Sequence, residues 1–155
     1  MEVTQASKND LNEISRLFES AKKQMEQSKI YQWTSIYPNK KIIEIDIEKH
    51  RLFKLVNKNQ IVTVATLDNE SQGNFTIRRI ATEPNHLSNG YASLLLGDII
   101  SKVKQKKGKH IYSSTNHTNV KMQNFFNKHG FEKISEYTEI EREHLGSFYK
   151  YLKKI

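Results

Sequence analysis

The sequence predicts a mixed α/β (α+β) fold, with a central, mostly antiparallel seven-stranded sheet and flanking helices. Two observations predict it. Short runs rich in Val, Ile, Thr and aromatic residues, with the alternation typical of strands, recur along the chain. Between them lie longer runs whose apolar residues recur every three or four positions, as in helices. In chain order the elements are predicted as β-α-α-β-β-β-α-β-α-β-β.

The N-terminal part is predicted as a short strand, residues 2–6, followed by two helices. A polar side chain within residues 7–10 can cap the first helix. An irregular, aromatic segment, residues 28–38, then leads to a shorter helix, residues 39–49. The apolar stripe of the first helix consists of Leu11, Ile14, Leu17, Phe18, Ala21 and Met25.

Three strands come next, predicted at residues 51–56, 60–67 and 75–82. Polar turns at residues 57–59 and 68–74 join them. Sequential strands with short polar connections predict an antiparallel meander.

The C-terminal half alternates helices and strands. Helices are predicted at residues 90–107 and 119–129, and strands at residues 110–115, 131–140 and 147–152. The last strand of the meander, the long helix and the strand after it are predicted to form a right-handed crossover.

Length and composition narrow the class of protein. The 155 residues predict one domain, residues 1–155. No apolar stretch approaches the roughly 20 residues of a membrane span, and the N-terminus lacks a secretion signal. We therefore expect a cytoplasmic protein with no membrane partner. The absence of cysteine excludes disulfides, thiolate metal sites and a cysteine nucleophile.

The charge balance is basic, with 25 Lys and Arg against 17 Asp and Glu and a formal net charge of +8. Such a charge is compatible with nucleic acid, an anionic membrane face or a polyanionic small molecule as partner. The lysine run at residues 102–109 closes a predicted helix, where cations complement the helix dipole. No aromatic residues interleave with it, so it is more typical of a solvated helix end than of a nucleic-acid surface.

The joint between the meander and the long helix, residues 82–92, is the first chemically informative segment. A helix N-terminus offers unpaired N–H groups and about half a positive charge. Small residues such as Gly90 and Ala92 let a phosphate approach the backbone. No Gly-Lys-Ser/Thr follows and only one glycine is present, which excludes a Walker loop and a dinucleotide fingerprint. Alone, such a joint is more often a plain strand-to-helix turn.

A second segment, residues 119–131, favours a phosphate site over a plain turn. It reads Asn-Val-Lys-Met-Gln-Asn-Phe-Phe-Asn-Lys-His-Gly-Phe. With the Leu-Ser-Asn-Gly-Tyr-Ala loop upstream, it makes the sequence resemble the GNAT acetyltransferase superfamily. The family's motifs are Gln/Arg-x-x-Gly-x-Gly/Ala and Asn-x-x-Ala-x-x-Leu-Tyr-x-Lys-x-Gly-Phe. The element order is also similar, and the aromatic segment and acidic helix before the meander look like those of some bacterial members.

The resemblance implies an N-acetyltransferase with acetyl-coenzyme A (acetyl-CoA) as co-substrate and a small-molecule or peptide amine as acceptor. The amine would attack directly in a ternary complex. A backbone N–H of the strand end would serve as oxyanion donor. The cofactor-binding residues so implied are Ile80, Ala81, Thr82, Leu87, Ser88, Asn89, Gly90, Tyr91, Ala92, Asn119 and Phe126.

Two residues depart from the family pattern. Leu87 replaces the usual Gln or Arg, which removes a side-chain contact but no backbone donor. Phe126 stands where a Tyr often protonates the departing thiolate. A general acid typically contributes 10²–10⁴-fold, and we expect a loss near the small end, because a thiol of pKa ~8.5 is a tolerable leaving group.

The remaining site residues are predicted only from their positions in the sequence. Glu83, the carboxylate nearest the strand end, is the candidate general base, although a carboxylate at such a turn is more often a solvated surface residue. Trp33 and Tyr37 are predicted either to wall the acceptor pocket or to belong to the core. The acids of the second helix either attract the amine or form its wet face; they are Glu44, Asp46 and Glu48. No His spacing indicates a metal site.

Two other functions stay open. A coenzyme-A-binding sensor of the same fold with weak catalysis is motivated by Phe126. A basic nucleic-acid-binding module is motivated only by the net charge. Pairing of C-terminal strands between subunits, frequent in the family, keeps a homodimer open.

The role of Glu83 gives a first prediction. The Glu83→Gln variant should transfer acetyl groups more slowly and show a shifted pH–rate profile, because the ammonium form of the amine must lose a proton before it attacks. The measurement is initial rate against pH with the wild-type protein as reference. An unchanged profile would remove Glu83 from the mechanism.

Overall fold

The computed structural model describes all 155 residues, Met1–Ile155. Its strands are β1 (Glu2–Gln5), β2 (Leu52–Asn57), β3 (Gln60–Ser71), β4 (Asn74–Thr82), β5 (His110–Asn116), β6 (Glu132–Thr138) and β7 (Ser147–Lys154). Its helices are α1 (Leu11–Gln27), α2 (Lys40–Glu48), α3 (Tyr91–Gln105) and α4 (Val120–Lys128). Short 3₁₀ turns precede α1, follow β4 and connect β6 to β7.

All strands lie in one sheet of order β1-β2-β3-β4-β5-β7-β6. Every neighbouring pair is antiparallel except β4 with β5. The predicted fold class and element order are therefore confirmed. No helix combines the length and the apolarity needed to cross a lipid bilayer.

Two apolar clusters lie on the two sides of the sheet. One packs α3 and α4 against strand residues such as Phe53 and Ala65. The other packs α1 and α2 against the neighbouring positions, Leu52 and Val64. This alternation is what a sheet covered on both faces requires. The predicted apolar stripe of α1 is buried, apart from its ends.

The predicted turn at residues 68–74 is wrong for its first half. There β3 continues, and the hairpin closes around Gly73, whose φ is +80°. The polar run resembles a loop in sequence because this end of the hairpin is exposed and carries charges. Asp68 and Glu70 each form an ion pair with Arg78 on the opposite strand.

The strands β4 and β5 pair over only three residues and then separate. Their pairs are Asn74 with His110, Phe75 with Ile111 and Thr76 with Tyr112. On its other edge β4 carries a bulge, where Arg79 and Ile80 oppose a single residue of β3. Such a bulge bends the strand and increases its twist. The edge of β4 facing β5 therefore lacks a partner strand from residue 77 onward.

A buried ion pair holds the bulge. Arg79, at φ +51°, donates from Nε and Nη2 to the carboxylate of Asp46, at 3.0 Å in each case. Thr66 donates to the same carboxylate at 2.8 Å. Asp46 is only 4% exposed, so this acid neither attracts an amine nor forms a wet face.

The other acids of α2 remain near the surface. Glu44 pairs with Lys41, and Glu48 is exposed. Neither lines a cavity of the site described below. For these two, the wet-face interpretation describes the structure.

The buried pair predicts a large stability effect. Asp46→Ala should lower the free energy of unfolding by about 3–5 kcal/mol, because it leaves the Arg79 charge buried and unpaired. That corresponds to a fall in Tm of about 10 °C for a chain of this size. Thermal unfolding followed by circular dichroism measures it.

Glu44→Ala is the matched control on the same helix, and its exposed pair should be worth at most about 1 kcal/mol. Equal Tm values for the two variants would contradict a structural role of the buried pair.

Candidate active site

Two cavities open where β4 and β5 separate. The cofactor cleft, as we name the first, has a volume of about 320 Å³ and is bounded by α1, the end of β4, the loop before α3, and α4. The acceptor cavity, about 660 Å³, is bounded by residues 32–42, the middle of β4, and the segment from β6 to β7. Consecutive residues of β4 border both: residues 76–79 line the acceptor cavity and residues 80–82 the cofactor cleft.

The loop before α3 presents a run of free backbone donors. None of the N–H groups from Ser88 to Ser93 donates to an oxygen of the chain. Gly90 caps α3 with φ +77°, a left-handed conformation that a glycine adopts at little cost. A Cβ built at Gly90 would meet no atom within 4 Å, so the conformation rather than the space requires glycine. Six free donors at a helix N-terminus fit a phosphate group.

The predicted cofactor residues divide into three groups. Those that line the cofactor cleft are Ile80, Ala81, Thr82, Leu87, Ser88, Ala92 and Asn119. Asn89 and Gly90 are exposed in the donor loop, and the Tyr91 hydroxyl accepts a hydrogen bond from Asn57. Phe126 is 1% exposed and packs in the core against Phe131 and Tyr151. Its neighbour Phe125 lines the cleft instead.

Asn119 connects the cofactor cleft to the acceptor cavity. Its side-chain oxygen caps α4 by accepting from the N–H of Met122 at 3.1 Å. Its side-chain nitrogen donates to Gln32 Oε1 at 2.8 Å. The same oxygen of Gln32 accepts from the Thr115 hydroxyl at 2.6 Å. Gln32 lines the acceptor cavity, so one side chain is held by the β5 end and by α4.

Two aromatic residues of the irregular segment line the acceptor cavity. Trp33 and Tyr37 both line it, and Trp33 also packs on Phe18 of α1 with ring centroids 5.4 Å apart. The Tyr37 hydroxyl accepts from Arg79 Nη1 at 3.2 Å. The buried pair that shapes β4 therefore also positions an acceptor-cavity side chain.

Arg142 closes the far wall of the acceptor cavity. Its guanidinium lies 4.6 Å from the ring centroid of Tyr37 and 4.7 Å from that of Phe148. It donates to the backbone oxygen of Gln32 at 3.1 Å and to Glu139 at 2.6 Å. One arginine thus joins the β6–β7 connection to the segment between α1 and α2.

Glu83 lies beside the site without lining either cavity. Its carboxylate accepts from the N–H of Asn85 at 2.8 Å and caps the 3₁₀ turn after β4. The acceptor cavity is lined by the charged residues Arg78, Arg79, Glu139 and Arg142, which form ion pairs, and by Glu141 and His144, which form none. No group of three or more His, Cys, Asp or Glu side chains is arranged to hold a metal ion.

A serine–histidine contact adjoins the donor loop. Ser93 Oγ and His129 Nε2 are 2.8 Å apart. Burial lowers the pKa of His129, and the nearby charges of Lys128 and Lys153 lower it further. Both effects favour the neutral form of the imidazole.

Sequence reasoning missed Gln32, Arg79 and Arg142. Two adjacent arginines at 78 and 79, in a strand that otherwise alternates, were a signal that the strand is irregular there. Gln32 and Arg142 lie in irregular segments, and no sequence pattern marks them.

A parallel pair that splits beside a helix N-terminus with free donors leaves an unpaired strand edge next to a site that suits a phosphate group. Residues 11–131 match the family model described as "Acetyltransferase (GNAT) family". The match spans more than half of the chain, so the chain belongs to this family and is an acyltransferase. Among curated protein sequences none matches significantly.

Solved structures share the fold. A GNAT-family acetyltransferase from Streptococcus agalactiae 2603 superposes with a TM-score of 0.85 at 22% identity, covering 99% of this chain and 95% of that one. The PaiA N-acetyltransferase from Thermoplasma acidophilum, in complex with coenzyme A, gives 0.83 at 15% identity, covering 99% and 98%. The ribosomal-protein-S18-alanine N-acetyltransferase from Escherichia coli gives 0.78 at 14%, covering 99% and 93%.

The Gln32 contacts generate a prediction. Gln32→Met should lower the free energy of unfolding by about 1–3 kcal/mol, because the Thr115 hydroxyl and the Asn119 amide lose their buried acceptor. Urea denaturation measures the loss. Hydrogen–deuterium exchange should also quicken at residues 28–38.

Gln32→Glu is the matched variant, because it keeps an oxygen at the same place, and its loss should be smaller. Wild-type stability and exchange in the Met variant would show that these contacts do not hold the segment.

Proposed function

We propose that this chain is an N-acetyltransferase that moves the acetyl group of acetyl-CoA to a primary amine by direct attack in a ternary complex. One observation carries the proposal: the cofactor cleft and the acceptor cavity border consecutive residues of β4, at the point where its edge has no partner strand. Two reactants entering from the two cavities would meet there. We also propose that residues 1–155 form one domain.

The residues around the cleft fit coenzyme A. The free N–H groups from Ser88 to Ser93 suit the pyrophosphate. The unpaired edge of β4 suits the amide-containing pantetheine arm, since its backbone groups have no other partner strand. When bound, acetyl-CoA supplies an acyl group on a thiol leaving group.

The chain's own groups would act at the reacting carbonyl and at the amine. We propose that a backbone N–H of Ala81 or Thr82 donates to the carbonyl oxygen, a contact of the kind whose removal typically costs 10²–10³-fold in rate. The chain has no cysteine, so a thiol that could carry the acetyl group is absent. This agrees with direct attack.

Proton transfer involves a base and an acid. Glu83 remains the proposed base, and its substitution by Gln keeps an oxygen that can accept from Asn85, so the turn stays capped. Glu141 and His144, which line the acceptor cavity, are the alternatives if Glu83→Gln leaves the pH profile unchanged. The acid cannot be Phe126, which has no hydroxyl and lies in the core. Tyr137 has a hydroxyl and lines the acceptor cavity, so it is the candidate for that role.

A second candidate, a coenzyme-A-binding sensor with weak chemistry, is favoured by the absence of a hydroxyl at Phe126, where the family often has Tyr. Both candidates predict that the protein binds coenzyme A, but the sensor predicts little acetyl transfer. An amine that accepts the acetyl group would therefore distinguish them. The Escherichia coli neighbour is named for a protein alanine, and a small-molecule or peptide amine is proposed here.

Cofactor binding gives a prediction. Acetyl-CoA at about 100 times its Kd should stabilise the protein by about 2.7 kcal/mol, which raises Tm by roughly 5–10 °C. In Gly90→Ala the rise should be several-fold smaller at the same concentration, because a side chain is strained at φ +77°. The measurement is a thermal-shift titration.

Gly97→Ala, within the same helix at an open position, is the control and should keep the full rise. Release of free coenzyme A with a panel of amines then tests transfer. A thermal shift without release on any amine would support the sensor, and the absence of any shift would contradict both candidates.

A further inference from the structure

The acceptor cavity continues into a second, polar groove. Thr76, Arg78, Ser114 and Tyr137 line both, and the second groove adds about 640 Å³. It lies along β5, β7 and β6, on the face opposite the apolar cluster that contains Ile111 of β5. The acceptor side of the molecule is therefore one elongated groove rather than a compact pocket.

The floor of the second groove carries a lysine between two serines. In the strand register Lys150 of β7 pairs with Ser114 of β5 on one side and with Ser135 of β6 on the other. All three side chains are exposed. Lys150 Nζ lies 4.9 Å from the ring centroid of Tyr112. An ammonium flanked by two hydroxyls suits a carboxylate or another small anion.

Lys150 is set apart from the other cations of the groove by its lack of an acidic partner. Arg78 pairs with Asp68 and Glu70. Arg79 pairs with Asp46, and Arg142 with Glu139. No carboxylate lies within ion-pair distance of Lys150.

The acceptor cavity has the complementary charge. Glu141 lines it and forms no ion pair. The elongated groove thus has an uncompensated carboxylate in the part nearer the reacting strand end and an uncompensated ammonium in the other part. A ligand with an amine at one end and an anionic group at the other matches this distribution.

The strand geometry sets the length of such a ligand. Tyr112 of β5 pairs with Thr76 of β4. Two residues further along each strand, Ser114 of β5 is level with Arg78 of β4. Lys150 pairs with Ser114, so it lies at the same level. Ala81 lies three residues further along β4. At about 3.3 Å per residue the separation along the strand is about 10 Å, and the two-strand step from β4 to β7 adds about 10 Å across the sheet. The direct separation is therefore about 14 Å, the span of roughly four extended peptide residues.

We propose that the acceptor is an elongated amine with an anionic group about 14 Å from its nitrogen, and that Lys150, with Ser114 and Ser135, binds that group. The shared chemistry has two sources: a peptide N-terminus with an acidic side chain near position four, or a free amino acid of similar length. The amine end of this proposal rests on the proposed acetyl transfer. The anion end rests on the groove alone.

The test compares two short peptides that differ only by Glu or Gln at the fourth position. Each is titrated by calorimetry into the full-length protein saturated with coenzyme A. Wild type should bind the Glu peptide about tenfold more tightly. In Lys150→Glu the preference should vanish, and a third peptide with Lys at that position should become the tightest.

Lys154→Glu is the control, because it makes the same charge change on the same strand outside both cavities. It should keep the tenfold preference. Equal affinities of wild type for the Glu and Gln peptides, or a preference that survives in Lys150→Glu, would overturn the proposal.

Two further arms separate the sources and the failures. In the first arm, an amino acid of about the same length, with its amine and carboxylate at opposite ends, replaces the peptide. Whichever of the two ligands binds more tightly in a Lys150-dependent way is the source of the anionic group. Acetylation of the same ligands is then followed by mass spectrometry. Lys150-dependent binding without acetylation supports this inference and contradicts acetyl transfer. Equal acetylation of the Glu and Gln peptides contradicts this inference and supports acetyl transfer.

Discussion

The separation of β4 from β5 is the constraint on which the rest of this structure depends. Parallel strands that begin paired normally continue to share hydrogen bonds, and the bulge at Arg79 and Ile80 turns β4 away. A residue at φ +51° is strained by about 1–3 kcal/mol and keeps this conformation only because its surroundings hold it there. The surroundings here are the carboxylate of Asp46, which receives two bonds from Arg79 and one from Thr66. Helix α2 therefore shapes the strand edge from beneath the sheet.

The two reactant sites that flank this edge are built in different ways. The donor loop before α3 binds through backbone N–H groups, whose directions follow from the helix N-terminus and one glycine. The acceptor cavity is built from side chains of irregular segments and takes its shape from Gln32, Tyr37 and Arg142. Since Gln32 also bonds Asn119 of the cofactor cleft, the two sites share a structural element.

Net charge says little about recognition in this protein. The formal +8 suggests an electropositive surface, yet the arginines of the acceptor groove are neutralised by neighbouring carboxylates. The proposed phosphate site uses backbone donors. What distinguishes one basic residue from another is local pairing, and by that measure Lys150 differs from Arg78, Arg79 and Arg142. Uncompensated charges, not their sum, indicate where a ligand of opposite charge would lie.

The sequence by itself determined the order of elements, the fold class and the donor loop, because periodicity, caps and a glycine at positive φ act within a few residues of chain. For Trp33 and Tyr37 the sequence left a pocket wall and a core position equally open. Only the tertiary structure decided the rest: that Phe125 rather than Phe126 faces the cleft, that Asp46 is buried, and that Gln32 and Arg142 close the acceptor cavity. The hydrogen bonds of Asp46 join residues 20 to 33 positions apart, and those of Gln32 and Arg142 join residues 83 to 110 positions apart. Such contacts exist only once the sheet and its helices have packed.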